Sequence, residues 1–351
     1  MPDATRGYIK LTDNKELKKA GVGVMVVNTF HLYLQPGIQL IKKAARLRNE
    51  ATARRGGIHE FMSWDKPLLS DSGGFQVFSL IHQNPKMGKI YDDKVVFKSP
   101  LDGSKHEMAP EKSIQIQFDL GVDMMVCFDD CPPNHAGKDE IKKSVVRTIS
   151  WAKRCKAEYN KQIKNYKLKN KNYQRPLLFG VIQGGNYKDL REYCAKELIK
   201  LDFDGYGFGA RPVDEHGNFL GEILKFTADL IPEDKLRFAL GIGTPEDIIK
   251  SYYFGWDIFD CVIPTREGRH GRLFKSKTKN QKSKWVHETF NINNAKFAKD
   301  FSPINPDSKI TELKEYSKAY LHHLFKMREN LGQKLASLNN LEFYNKIIKN
   351  L

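Results

Sequence analysis

The chain has 351 residues, of which 40% are hydrophobic and 28% are charged, a composition typical of a folded globular protein. This length suits either one large α/β barrel or two domains. Lysine and arginine outnumber aspartate and glutamate by 58 to 42, and the resulting net charge of +16 favours a polyanionic partner such as nucleic acid. A lysine-rich solvated surface is the alternative explanation. Because no run approaches the ~18 apolar residues of a membrane span, and the first residues lack an apolar signal core, we predict a cytoplasmic protein without membrane contact.

The five cysteines are odd in number and too scattered to act as a disulfide framework, so we expect them to be reduced. Cys127 and Cys131 have a spacing that a metal ion uses, but no second Cys or His pair of suitable spacing follows soon after. The favoured interpretation is that they are small buried apolar side chains.

Seven short apolar runs alternate with helix-length segments along the chain. The runs cover residues 24–28, 67–71, 123–129, 176–183, 203–209, 237–243 and 256–262. Continuous apolar strands that alternate with helices imply a parallel sheet covered on both faces. Together with a weaker eighth run at 290–293, they predict an α/β fold, a (β/α)8 TIM barrel, in preference to an open doubly wound sheet.

Two parts of the chain depart from this alternation. Residues 81–110 predict a hairpin excursion from the barrel. Near the C-terminus, five apolar side chains recur at helical spacing: Tyr316, Tyr320, Leu324, Met327 and Leu331. They predict one long helix packed on the barrel, and a second helix is expected over 341–350. We therefore predict a catalytic barrel over 1–274 and a C-terminal part over 275–351 that completes the barrel and adds helices.

The apolar runs end in, or are soon followed by, polar side chains or glycines. These are Asn28, Asp71, Asp129, Gln183, Gly209 and Gly241, and Asp260 lies within the seventh run. A barrel places the carboxyl ends of all its strands on one face, where active sites are built, so these residues are expected to converge. For any single one of them, a strand-end cap is the alternative.

Two of the carboxylates have informative surroundings. Asp71 is followed by glycines that let a ligand approach the backbone, and by Phe75, which is available to stack on a planar ring. Asp260 precedes a segment that contains Arg266 and Arg269. The chemical interpretation is a nucleophile beside a clamp for phosphate groups, and the alternative is a buried capping aspartate beside a solvated basic loop.

These motifs resemble those of the tRNA-guanine transglycosylases, most closely the bacterial type. The matching segments follow the family's order and are NTFHLYLQPG (28–37), DSGGFQVFSL (71–80), SPLDGS (99–104), PEKSIQIQFDLGVD (110–123), FDDC (128–131), FGVIQGG (179–185), GIGTPEDI (241–248), FDCVIPTREGRHGRLF (259–274) and YSKAYLHHL (316–324). The resemblance implies a (β/α)8 pentosyltransferase that exchanges guanine at the wobble position of tRNA for a 7-deazaguanine base. Asp260 would be the nucleophile that forms a glycosyl-aspartate intermediate, and Asp71 would be the general acid/base.

The resemblance also implies which residues bind the substrates. Six residues would hold the base, namely Phe75, Asp129, Gln183, Gly209, Leu240 and Gly241. Arg266 and Arg269 would hold the anticodon loop, whose splayed single-stranded bases are what such a face reads. The partners are then tRNA and a free 7-deazaguanine base of the preQ1 type, and relatives of this type form homodimers.

The sequence departs from the family in three places. At the four positions of the family's zinc ligands it has Ser308, Ile310, Leu313 and Asn339, so no cofactor and no zinc are expected. In the glycine-rich recognition loop, Arg211 and Pro212 replace small apolar residues, which leaves the identity of the incoming base open. The segment 41–57 is about ten residues longer than in relatives and adds Arg46, Arg48, Arg54 and Arg55, either for tRNA contact or as a solvated helix.

Two other functions remain possible at this point. One is a catalytically inactive tRNA-binding subunit, which the presence of both Asp71 and Asp260 argues against. The other is a transglycosylase with a different deazapurine or a different nucleic-acid target.

Overall fold

The computed structural model of the chain describes residues 1–45, 57–133, 135–169, 174–214, 216–277 and 286–351. Its strands, in chain order, are β1 (Met25–Val27), β2 (Leu68–Ser70), β3 (Gly88–Ile90), β4 (Val95–Lys98), β5 (Lys105–Met108), β6 (Met124–Val126), β7 (Leu177–Ile182), β8 (Gly205–Phe208), β9 (Leu236–Ala239), β10 (Ile258–Phe259), β11 (Arg272–Lys277) and β12 (Val286–Asn291).

The helices, in chain order, are α1 (Asn14–Lys19), α2 (Thr29–Leu34), α3 (Ile38–Ala45), α4 (Ile58–Met62), α5 (Gly74–Gln83), α6 (Pro110–Leu120), α7 (Lys138–Lys169), α8 (Lys188–Ile199), α9 (Gly221–Asp229), α10 (Pro245–Tyr253), α11 (Ile263–Arg269), α12 (Thr311–Glu315), α13 (Lys318–Lys326) and α14 (Asn330–Lys349). Short 3₁₀ turns cover Pro85–Met87 and Ala295–Lys299. Of the helices in the described ranges, none is both long enough and apolar enough to cross a membrane.

Seven strands form one parallel sheet in the order β1-β2-β6-β7-β8-β9-β10. Its strands are apolar on both faces, because one face lies inside the curled sheet and the other meets the helices. The inner cluster is small and consists of Val26, Leu69, Val126, Phe179, Val181 and Phe238. Their neighbours along the strands, such as Val27, Leu68 and Met125, belong to the much larger core that the helices cover. The predicted α/β barrel class and all seven predicted strand positions are confirmed.

The prediction of an eighth barrel strand at 290–293 is wrong. Phe290 and Asn291 belong to β12, which pairs antiparallel with β11. The two strands are separated by only residues 278–285, and so short a connection suits antiparallel pairing, whereas parallel strands need a crossover of a dozen or more residues. A pair of short parallel bridges instead links both edges of the sheet to the start of the chain, from Asp3 to Val26 of β1 and from Pro2 to Cys261 just after β10.

The predicted excursion at 81–110 contains β3, β4 and β5, which form a separate antiparallel sheet in that order. Val95 and Phe97 of β4 are fully buried and belong to the main core. The small sheet is therefore packed on the barrel, beside the segment that follows β2.

The single long helix predicted over 316–331 is wrong. Helix α13 ends at Lys326, and Arg328 adopts a left-handed backbone conformation (φ 59°) before α14 begins at Asn330. Helix α14 then lies against α11, where Asn340 Nδ2 donates to the carbonyl oxygen of Pro264 at 3.0 Å. The contact is close, since a Cβ atom on Gly268 would lie 2.7 Å from the backbone of Ser337. Helix α14 thus supports the helix that follows β10.

Candidate active site

A cavity of about 340 Å³ opens at the carboxyl ends of the parallel strands. The structure brings seven of the predicted site residues to its wall: Asp71, Phe75, Asp129, Gly209, Leu240, Gly241 and Asp260. Gln183 is buried directly behind this wall, in contact with Asp129. Asn28, which follows β1, also lines the cavity, so the convergence expected from the strand ends extends over all seven parallel strands.

Asp71 follows β2 and is held in one orientation by its neighbours. Its Oδ1 accepts hydrogen bonds from the backbone N–H of Thr29 at 2.9 Å and of Gly73 at 3.2 Å, while its Oδ2 accepts from Asn28 Nδ2. Burial is the main cause that raises the pKa of Asp71 to about 8, and the nearby Asp3 and Asp260 carboxylates add to it. Asp71 is therefore mostly protonated at neutral pH. Because two N–H donors occupy Oδ1, its proton belongs on Oδ2.

Asp260 follows β10, and its Oδ1 accepts a hydrogen bond from the backbone N–H of Gly241 at 2.9 Å. Burial raises the pKa of Asp260 to about 6, and this hydrogen bond works in the opposite direction. Asp260 is thus mostly ionised at neutral pH. The two carboxylates of one cavity therefore differ in protonation state, a pattern typical of an acid/base group paired with a nucleophile.

Asp129 forms a third acidic position, deeper in the wall and only 9% exposed. Its Oδ2 accepts a hydrogen bond from Gln183 Nε2 at 2.7 Å, and burial raises the pKa of Asp129 to about 6. Gly209 allows this arrangement, since a Cβ atom there would lie 2.5 Å from the side-chain amide carbon of Gln183. A carboxylate and an amide held together in this way can read adjacent N–H and oxygen groups of a planar base.

Further residues of the wall were not predicted to bind the base. Asp3, Ser72 and Gln76 line the cavity, as do Asn28 and Cys131. Gln76 Oε1 is buried and has no hydrogen-bond partner in the described structure, so a bound ligand with an N–H group would satisfy it. Phe75 is 49% exposed at the edge of the cavity, where its ring is accessible for stacking. Gln76 had a sequence signal, since it follows Phe75 in the glycine-rich segment, but Asp3 had none.

Arg266 and Arg269 do not line the cavity. Both lie on α11, which begins three residues after Asp260. The side chain of Arg266 is 51% exposed and pairs loosely with Glu267 at 3.4 Å. Burial lowers the pKa of Arg269, and the neighbouring Arg266 adds to this effect. The two cations are therefore close together on the helix beside Asp260.

The recognition loop lies on the cavity wall. Arg211 and Pro212 line the cavity together with Ala210, whose backbone is strained at φ 96°. A second groove beside the cavity shares Arg211, Phe75 and Cys131 with it. The segment 41–57 was predicted to be longer than in relatives. Its four arginines lie outside the described residues, namely Arg46, Arg48, Arg54 and Arg55.

The four side chains at the positions that the resemblance assigns to zinc ligands carry no thiolate or imidazole. Ile310 and Leu313 are buried apolar side chains, and Ser308 and Asn339 carry a hydroxyl and an amide where zinc prefers thiolate or imidazole. Ser308 Oγ donates to Glu342 Oε2 at 2.5 Å, and Asn339 Oδ1 accepts from Asn305 Nδ2 at 3.0 Å. Hydrogen bonds and apolar packing therefore occupy this region.

Comparison with known proteins gives consistent matches over the whole chain. The sequence profile described as queuine tRNA-ribosyltransferase matches residues 1–351. A queuine tRNA-ribosyltransferase of Caldanaerobacter subterraneus subsp. tengcongensis is 43% identical over 351 residues, which are 100% of this chain and 84% of that protein. Proteins of the same description from Thermoanaerobacter pseudethanolicus and from Francisella tularensis subsp. novicida are 41% and 40% identical over 351 residues, all of this chain and 84% and 86% of theirs.

Proposed function

The chain belongs to the queuine tRNA-ribosyltransferase family, and on that premise we propose that it exchanges guanine at the wobble position of tRNA for a 7-deazaguanine base. The observation that carries the proposal is the pair of carboxylates in one cavity. Burial raises the pKa of Asp71 to about 8 and that of Asp260 to about 6, so at neutral pH one is an acid and the other a nucleophile.

In the first half of the reaction, a carboxylate oxygen of Asp260 attacks C1′ of the ribose. The bond between C1′ and N9 breaks, and its electron pair stays with guanine. Asp71 gives its proton to the departing base, so guanine leaves neutral and a glycosyl ester joins Asp260 to the tRNA. The Gly241 N–H on Asp260 Oδ1 orients the carboxylate and leaves the other oxygen for the attack.

In the second half, ionised Asp71 takes the proton from N9 of the incoming base. N9 attacks C1′, and the Asp260 carboxylate leaves as the ester bond breaks. Two displacements at the same carbon restore the original configuration, as in retaining glycosidases, and neither step consumes ATP. The chain of the tRNA is not cut.

Base recognition is assigned to other residues of the same cavity. Asp129 and Gln183 would bind the polar edge of guanine, and Phe75 would stack on its ring. The backbone at Gly209 and at Leu240–Gly241 would complete the polar contacts. Arg266 and Arg269 would bind phosphates of the anticodon loop, where single-stranded RNA allows the target base to enter the cavity.

Three further parts of the proposal rest on family resemblance and on chemistry. The enzyme acts in the cytoplasm, where its tRNA substrate is found, and it works as a homodimer, which sedimentation velocity would test. It needs no zinc, because the side chains at the four family positions do not suit that ion.

A denaturing gel tests the reaction directly. Incubation with an anticodon stem-loop RNA that has guanosine at the wobble position should give a protein–RNA adduct that survives denaturation, and labelled guanine should enter the RNA. Asp260→Asn should give no adduct, because an amide cannot form the ester. Asp257→Asn is the matched control, since this exposed aspartate lies just before the same strand and its carboxylate accepts from Arg237 N at 2.8 Å. If the wild-type protein binds the RNA but shows neither adduct nor exchange, the inactive tRNA-binding subunit is the better description.

A further inference from the structure

One arginine behind the cavity wall has no place in the reaction described above. Arg191 on α8 is completely buried, at 0% exposure. Its guanidinium group is 4.0 Å from the ring centroid of Phe208, and burial lowers the pKa of Arg191 to about 9, so it remains protonated at neutral pH. A buried cation is costly unless it is well hydrogen-bonded, and no carboxylate pairs with this one in the parts of the chain that the structure describes.

The hydrogen bonds of Arg191 all go to backbone carbonyl oxygens. Nε donates to Gly185 O at 2.7 Å, and Nη1 donates to Ile182 O at 3.1 Å. These two carbonyl groups flank the turn that carries Gln183. Nη2 donates to Gly209 O at 2.9 Å, just after the next strand. One side chain therefore ties together two loops of the cavity wall.

The third of these bonds determines how one peptide unit faces the cavity. In a trans peptide the C=O and the following N–H point in opposite directions. Since Gly209 O is directed at Arg191 behind the wall, the N–H of Ala210 is directed to the other side, where Gly209 and Ala210 line the cavity. Burial raises the pKa of the Cys131 thiol, which lines the same cavity. A hydrogen bond from the Ala210 backbone has the opposite, smaller effect on this pKa.

The backbone of Ala210 is strained when its N–H points into the cavity. Ala210 has φ 96°, a strained backbone conformation that non-glycine residues seldom adopt. A strained peptide persists only when its surroundings hold it. Arg191 is suited to this task, because its planar group donates along three directions at once and lysine cannot reproduce that geometry.

We propose that Arg191 is a positioning residue for base recognition: by holding Gly209 O, it keeps the Ala210 N–H pointed into the cavity as a hydrogen-bond donor to the 6-oxo group of the purine. This inference rests on the proposed function for the identity of the base. It goes beyond it by assigning the selectivity for a 6-oxo purine to a side chain that the substrate does not touch.

The test compares two purines by equilibrium binding in the absence of tRNA. Guanine carries the 6-oxo group and an N1–H, and 2-aminopurine lacks both but keeps the 2-amino group. Because Asp129 and Gln183 are unchanged in every variant, a change in the ratio of the two affinities reports on the 6-oxo contact. In Arg191→Met the advantage of guanine over 2-aminopurine should fall about tenfold, the effect of one lost hydrogen bond of about 1.4 kcal/mol. Arg191→Lys should lower the same ratio by about threefold or more. This variant tests the positioning role of Arg191 if the methionine variant does not fold.

Arg175→Met is the matched control. Arg175 precedes β7, at the end of that strand away from the cavity, and pairs in a bidentate manner with Asp204 at 2.6 and 2.7 Å. Its loss should lower the melting temperature and leave the ratio of the two affinities unchanged. An unchanged ratio in folded Arg191→Met would overturn the proposal, even if both affinities fell equally.

The result of this binding test can be separated from the result of a test of the proposed reaction. If the wild-type protein binds guanine but exchanges none into RNA, the proposed reaction fails, while the affinity ratio still tests Arg191. If the wild-type protein does not prefer guanine to 2-aminopurine, the role assigned to Arg191 is overturned whatever the exchange activity.

Discussion

The rate of base exchange should depend on pH through Asp71 and Asp260, and in opposite directions. In the proposed reaction Asp260 must be ionised to attack C1′, so kcat/KM should rise as pH increases through about 6, the value to which burial raises the pKa of Asp260. Asp71 must carry a proton for the departing guanine, so kcat/KM should fall as pH increases through about 8, the value to which burial raises the pKa of Asp71. The profile should be bell-shaped with its maximum near neutrality.

The magnitude follows from these two values. With a pKa of about 6 for Asp260 and about 8 for Asp71, about 80% of the enzyme is in the active protonation state at pH 7. At pH 5 and at pH 9 the active fraction is about one tenth, so kcat/KM should be lower there by roughly ninefold. Because the two carboxylates interact, the two apparent values belong to the pair.

The assay is incorporation of labelled guanine into an anticodon stem-loop between pH 5 and 9.5, at constant ionic strength. Asp71→Asn should lose about 10²–10⁴ in rate, the usual contribution of a general acid, and should also lose the alkaline limb. Guanine itself loses a proton in alkaline solution, so an alkaline limb that survives in Asp71→Asn would belong to the base. That result, or a wild-type rate that still rises at pH 9, would refute the assignment of Asp71 as the acid.

Four other substitutions test separate parts of the site. Arg266→Ala and Arg269→Ala should each weaken binding of the stem-loop and lower the slope of log affinity against log salt by ~0.7, and unaltered slopes would mean that these side chains contact no phosphate. Arg211→Leu removes a cation from the cavity wall and should improve the KM of an aminomethyl base relative to that of a nitrile base; equal selectivity in a competition assay would contradict this. Asn28→Ala removes a donor to the ionised form of Asp71, so the alkaline limb should move to higher pH, and a limb that stays or moves down would show that this hydrogen bond does not tune the acid.

The strands and the strand-end carboxylates were predictable because their signals are local. Residues 176–182 are apolar throughout, Asp71 ends such a run, and Asp260 lies within another. The closing bridges at Pro2 and Asp3 were not predictable, since an isolated bridge is too short to show a period.

Contacts between segments far apart in the sequence account for most of the remaining differences between the predicted and the observed structure. The register that places Val27 opposite Ser70 brings Asn28 and Thr29 to Asp71, and no spacing within either segment indicates it. The break after α13 was hidden because apolar residues continue at helical spacing on both sides of Arg328.

At the positions where the resemblance implies zinc ligands, we predict that a hydrogen-bond network stabilises the fold in place of a metal. Glu342 on α14 is 3% exposed, and its two oxygens accept from Ser308 Oγ at 2.5 Å and from the Lys309 N–H at 2.7 Å. Ser308 Oγ in turn accepts from the Ile310 N–H at 2.9 Å. Together with the buried side chain of Leu313, this network joins the segment before α12 to α14.

Glu342→Ala should therefore destabilise the protein strongly, because it leaves the buried hydroxyl of Ser308 and the N–H of Lys309 without their acceptor. We expect a loss of about 3 kcal/mol in the free energy of unfolding, measured by urea denaturation, and a smaller loss in Glu342→Gln, which keeps one oxygen acceptor. Glu315→Ala, at an exposed glutamate on α12, is the control and should change stability by less than about 0.5 kcal/mol. If the network serves in place of a metal, chelators should leave the melting temperature of the wild-type protein unchanged. One zinc per chain by elemental analysis, or a chelator-dependent fall in melting temperature, would show that a metal contributes to the fold and that Glu342 does not replace it.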